Sequence, residues 1–115
     1  ESYDISTEDF VVPLDGIYTF DMQIQISNFS NLKSVEVALY KRGTPDDYWF
    51  ILAKENVESL AYIQLNAHTS FDFYKDERYC LKIILTKTLP LVPVSCTISG
   101  NDDYTAWGFN LLRLL

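Results

Sequence analysis

The stretch Phe10 to Phe20, FVVPLDGIYTF, decides how the rest of the chain is read. Two apolar runs are broken by Pro13-Leu14-Asp15-Gly16, after which an apolar side chain returns at every second residue. The even positions are Tyr18, Phe20, Met22, Ile24 and Ile26; the odd positions are Thr19, Asp21, Gln23, Gln25 and Ser27. Successive side chains of a strand leave on opposite faces, so this period of two marks a strand with one core face and one wet face. Pro13 has no N–H to give a ladder and ends the first short strand. Gly16 stands at a tight turn between two strands, where the expectation is a glycine at positive φ.

The same period runs outward from this strand. After Asn28-Phe29-Ser30-Asn31, Val35, Val37 and Leu39 face in, while Ser34, Glu36, Ala38 and Tyr40 face out. Ile63, Leu65, Ala67, Phe71 and Phe73 share one face, and Tyr79, Leu81, Ile83 and Leu85 another. Val92, Val94, Cys96 and Ile98 alternate next, and a last strand from about Tyr104 puts Trp107, Phe109 and Leu111 inward. Residues 46–57 admit two readings. Thr44, Pro45 and the following acids make a fair helix start, whereas a strand would turn Tyr48, Phe50 and Leu52 inward; the strand suits its neighbours better. About seven or eight short strands between turns mean an all-β sandwich of two antiparallel sheets.

The 115 residues suit one domain, 1–115, and 48% hydrophobic content can build a core without disulfides or metals. The chain opens on Glu1 rather than Met and reads as a head domain excised from a longer chain. A net charge of −7 and a pI near 4.4 argue against nucleic acid and anionic membrane. No apolar run is long enough for a spanning helix, so membrane insertion is not expected.

Phe10, Gly16, Tyr18 and Phe20 stand at the spacing F-x-x-x-x-x-G-x-Y-x-F. This resembles the core motif of the globular-head family of complement component 1q, which shares a trimeric jelly roll with tumour necrosis factor. Met22 stands where the family usually has a further aromatic. FYKDERYCLKI is similar to the family's turn into a strand, with Asp76 kept and Lys75 in place of glycine; WGFNLL resembles its closing strand. The resemblance implies a jelly roll whose outer sheet holds the strands of Tyr18 and Cys96, and whose inner sheet holds those of Val37, Leu81 and Trp107. The outward positions of the latter group are apolar, which implies a homotrimer interface through Tyr40, Ile84, Tyr104 and Leu112.

The chemistry is sparse. His68, the single histidine, sits on a polar face, and no phosphate loop or nucleophile elbow is present. No catalytic residue is assigned and no enzyme is expected. Cys80 and Cys96 fall on opposite phases of their strands, so both are expected as free thiols. Asn28-Phe29-Ser30 is a glycosylation sequon only in a eukaryotic secretory setting. Asn101, Asp102 and Asp103 offer oxygens to calcium, but three residues are too few and an Asn/Asp-rich turn is the ordinary explanation; no cofactor is assigned. Asp46, Asp47, Tyr48 and Trp49 join turn residues to two adjacent aromatics and form the candidate ligand loop, the alternative being that Trp49 fills the sandwich edge and the acids solvate the turn. The expectation is a non-enzymatic, homotrimeric recognition head on a secreted protein, spore coat or viral fibre or spike. It would lie outside the cell or on a particle surface and bind a protein or glycan receptor. The alternative is a structural trimerisation domain of a capsid or spike.

Overall fold

The computed structural model of the protein describes residues 2–43, 45–57, 62–98 and 106–115. Among them every regular element is a strand: β1 (Ser2–Ser6), β2 (Phe10–Val11), β3 (Gly16–Ser30), β4 (Leu32–Lys41), β5 (Asp47–Asn56), β6 (Tyr62–Phe73), β7 (Arg78–Lys87), β8 (Ser95–Ile98) and β9 (Ala106–Leu114). They form two antiparallel sheets packed as a β-sandwich. One has the order β1-β7-β4-β5, with β2 continuing the β1 edge along β7. In the other, β3 pairs along its length with β6 on one side, and with β9 and then β8 on the opposite side.

The alternation of β3 carries the core. Tyr18, Phe20, Met22, Ile24 and Ile26 are all buried, and they meet Val35, Val37 and Leu39 of β4 and Tyr79, Leu81, Ile83 and Leu85 of β7. Burying a side chain of this size contributes about 1.5–3 kcal/mol, so the facing sheets supply the main driving force. At one end the core is aromatic: Phe73 stacks on Tyr79 at 4.1 Å between centroids, Phe109 lies 4.5 Å from Phe10 and 4.7 Å from Phe20.

The turn before β3 is held by its own motif. The Tyr18 hydroxyl donates to the Leu14 carbonyl at 2.7 Å and accepts from the Leu14 N–H at 3.3 Å. Asp15 accepts from the Lys75 N–H at 2.7 Å, and Val12 exchanges backbone hydrogen bonds with the 76–77 turn. Asp76 takes the left-handed conformation there, φ 70°. Gly16 differs from expectation, because no described glycine has positive φ. Its role is close approach: a Cβ at Gly16 would lie 2.5 Å from Leu111 Cδ1 and 2.9 Å from the Arg113 carbonyl oxygen.

Residues 47–56 are a strand and not a helix. Two register shifts against β4 bring Ala38 opposite Ile51 and Tyr40 opposite Tyr48. The extra residues carry Tyr48 to the outward face instead of the core, leaving it 52% exposed, while Leu52 packs on the core and Phe50 meets Phe71 edge-on at the rim. Two further expectations are corrected at the C-terminus. β9 joins the sheet of β3, not that of Val37 and Leu81; β7 fills the place between β1 and β4. Trp107 and Leu111 are 43% and 42% exposed, because among the described strands β9 has only β3 as a partner and no second neighbour covers them. Phe109 alone of the three reaches the aromatic core. Cys80 and Cys96 are free thiols in different sheets.

Candidate interaction face

The outward face of the β1-β7-β4-β5 sheet is built from the alternate positions of its two central strands. On β4 these are Ser34, Glu36, Ala38 and Tyr40; on β7 they are Cys80, Lys82, Ile84 and Thr86, paired in register. Ala38 and Cys80 are buried although they point away from the core, while Tyr40 and Ile84 are half-buried. The thiol of Cys80 lies within electrostatic reach of Arg42, Lys82, Asp46 and Asp9. Its burial raises the thiol above its ordinary range, and the two cations only partly offset that.

Those four charged groups form a clasp from three separate segments. Asp46 accepts from Arg42 Nη1 at 2.8 Å, from Lys82 Nζ at 3.1 Å and from the Gly43 N–H at 3.3 Å. The Arg42 Nε also donates to Asp9, which precedes β2, at 2.7 Å. The Gly43 N–H first, and then Lys82 and Arg42, hold the Asp46 carboxyl below its usual range against a smaller opposing effect of burial. Arg42 is held more firmly protonated than usual, chiefly by its bond to Asp9. Individual surface ion pairs contribute little, but shared partners fix the 42–46 turn against the sheet. Lys82 Nζ also sits 4.4 Å from the centroid of the Tyr40 ring, and Tyr40 meets Tyr48 edge-on at 5.6 Å.

A second polar knot closes the β7 start. Glu77 accepts from Lys41 at 2.6 Å, from the Tyr74 N–H at 2.8 Å and from the Tyr79 hydroxyl at 3.1 Å. Burial pushes the Glu77 carboxyl up, yet these bonds outweigh it and the group ends below its ordinary range. The Tyr79 hydroxyl is held neutral to higher pH than usual, by burial first and by Glu77 second.

The face therefore joins residues that sequence reasoning had assigned to two roles. Tyr40, from the expected interface, and Asp46 and Tyr48, from the expected ligand loop, are in one network. Asp47 opens β5 opposite Lys41. Ile84 lies on the same face, two residues along β7 from Lys82. Leu112 does not join them: it is on β9 in the other sheet and 65% exposed. Tyr104, Asn101, Asp102, Asp103 and the Trp49 side chain lie outside the described residues. Sequence reasoning missed Arg42, Lys82 and Asp9. Lys82 was visible as a cation between Cys80 and Ile84 on an outward phase, but Asp9 is brought in from a distant segment by the fold. Among the described residues, no group of three His, Cys, Asp or Glu side chains could hold a metal ion, and no helix is long and apolar enough to cross a membrane. Compared with protein-family models and with curated proteins, the chain gives no match, so its own geometry carries the reading of this face.

Proposed function

We propose that the chain is a non-enzymatic recognition head that assembles as a homotrimer through the outward face of the β1-β7-β4-β5 sheet. It displays its remaining surface to a protein or glycan receptor outside the cell or on a particle. The observation that carries this reading is the contrast between the two outward faces. One bears Tyr40, Ile84, Tyr48 and Ile51 around buried Ala38 and Cys80, beside Glu36 and the paired charges of the clasp, with Tyr48 and Ile51 52% and 44% exposed. The other, on β3 and β6, bears Thr19, Asp21, Gln23, Gln25, Asn66, His68 and Ser70 along its middle, with Ile17 and Tyr62 only at its two ends. Exposed apolar side chains on a sheet face favour association, and burying them between copies removes that surface from water. The three-fold form is what the resemblance of FVVPLDGIYTF implies.

Light scattering of the intact chain tests it. Three copies are expected, and Ile84→Asp, which would bury an unpaired charge at the contact, shifts the mass toward one copy. A wild-type chain that stays monomeric at high concentration overturns the reading.

A further inference from the structure

The wet face of the β3 sheet has an unusual makeup for a solvated surface. At the outward positions of 19–25 on β3, 64–72 on β6 and 106–110 on β9 there is no Lys, Arg or Glu. The hydrogen-bonding groups are the amides of Gln and Asn, two Asp carboxylates, short hydroxyls and one imidazole. In the middle is an open depression of about 450 Å³, bordered by Asp21, Gln23, Asn66 and Asn110. Its room comes from β9, where Ala106 and Gly108 occupy outward positions; a Cβ on Gly108 would meet nothing within 4 Å. Across the strand pair from Gly108 stands Asp21, which His68 engages from the other side.

We infer that this depression binds a neutral saccharide. An amide presents a donor and an acceptor side by side, and a carboxylate two acceptors, to adjacent sugar hydroxyls, each of which both donates and accepts. Asp21, Asn66 and Asn110 are short and stand on paired strands, so ordering them on binding costs less entropy than ordering lysines or glutamates would. An anionic ligand is disfavoured by Asp21 and by the chain's net charge of −7, with no cation on this part of the face to offset them. The inference narrows the receptor of the recognition-head reading to a glycan and rests on that reading for its purpose.

The test is a nuclear magnetic resonance titration of the ¹⁵N-labelled full chain with the methyl glycosides of glucose, galactose, mannose and N-acetylglucosamine, with glycerol as the polyol control. At least one glycoside gives saturable shifts centred on the amides of Asp21, Gln23, Asn66 and Gly108, and glycerol does not. Gly108→Leu fills the depression and Asn66→Ala removes one edge; each weakens binding by about tenfold or more, a factor of ten in the dissociation constant. If Gly108→Leu loses its β-sheet circular dichroism, Asn66→Ala decides alone. No saturable shift with any glycoside, shifts centred elsewhere, equal shifts with glycerol, or undiminished binding by the folded variants each overturn the site. Saccharide binding by a chain that scatters light as a monomer would overturn the trimer and leave this site standing; a trimer without shifts would do the reverse.

Discussion

Two glycines in one strand pair make opposite predictions for the same substitution. Gly16 opens β3 and Gly108 lies in β9, and neither has a left-handed backbone, so alanine brings no backbone strain at either position. At Gly16 the new Cβ would be 2.5 Å from Leu111 Cδ1 and 2.9 Å from the Arg113 carbonyl oxygen. The leucine tip can rotate away, but the carbonyl belongs to the paired strand and can yield only by moving β9. Overpacking of this kind costs about 1–3 kcal/mol. At Gly108 nothing lies within 4 Å, and alanine there stabilises by about 0.4–1 kcal/mol by restricting the unfolded chain. Urea unfolding at one fixed protein concentration reads both, since the proposed assembly would make stability concentration-dependent. With a slope of about 1–3 kcal/mol/M, Gly16→Ala lowers the midpoint by roughly 1 M, while Gly108→Ala leaves it equal or raises it. Hydrogen exchange should place the Gly16→Ala loss in β9. If Gly16→Ala is as stable as the parent, or if the two variants fall together, the close-approach account of Gly16 is wrong.

Phe20 is fully buried between Phe109 and the core, so Phe20→Ala costs about 3–5 kcal/mol; a thermal or urea loss below about 1 kcal/mol would remove it from the core. Asp46 and Glu77 are depressed below their ordinary values of 3.8 and 4.5, so their stabilisation is present above those values and is lost as pH falls through the folded ones. Melting temperature therefore drops on acidification and Glu77→Gln shallows the drop; an acid limb unchanged in Glu77→Gln would dismiss the Glu77 knot. Tyr79 is raised above its ordinary 10.0, so its contribution holds below that pH and fades as pH climbs toward the folded value, which a melting series in alkali reads. In native protein a thiol reagent should modify the half-exposed Cys96 well before Cys80, which is 2% exposed, and equal rates would mean that Cys80 is not covered.

The strand content, the two-sheet class and most of the core were legible in the sequence, because a period of two is a local property that each strand states alone. Tyr18, Phe20, Met22, Ile24 and Ile26 could be assigned inward without knowing what they would meet. The same local signal separated Cys80 from Cys96 and marked Tyr40 and Ile84 as outward. What it could not state was anything that depends on a neighbour. Tyr48 reads as inward by phase and is turned outward by a register shift against β4, and such a shift is decided by the pair of strands, not by either one. Trp107 reads as core by phase and is exposed because β9 lies at the side of β3, where alternation still holds but no second strand among the described residues closes over it. Gly16 announced itself as necessary, yet the reason, the approach of Leu111 and Arg113 from the other end of the chain, exists only in the fold. The clasp shows the same division: Arg42 and Asp46 are close in sequence, whereas Lys82 and Asp9 reach them because β7 pairs with both β4 and the β1–β2 edge. Side-chain phase is set by backbone geometry within a strand; partners, register and edges are set by long-range pairing, which no stretch of a single strand encodes alone.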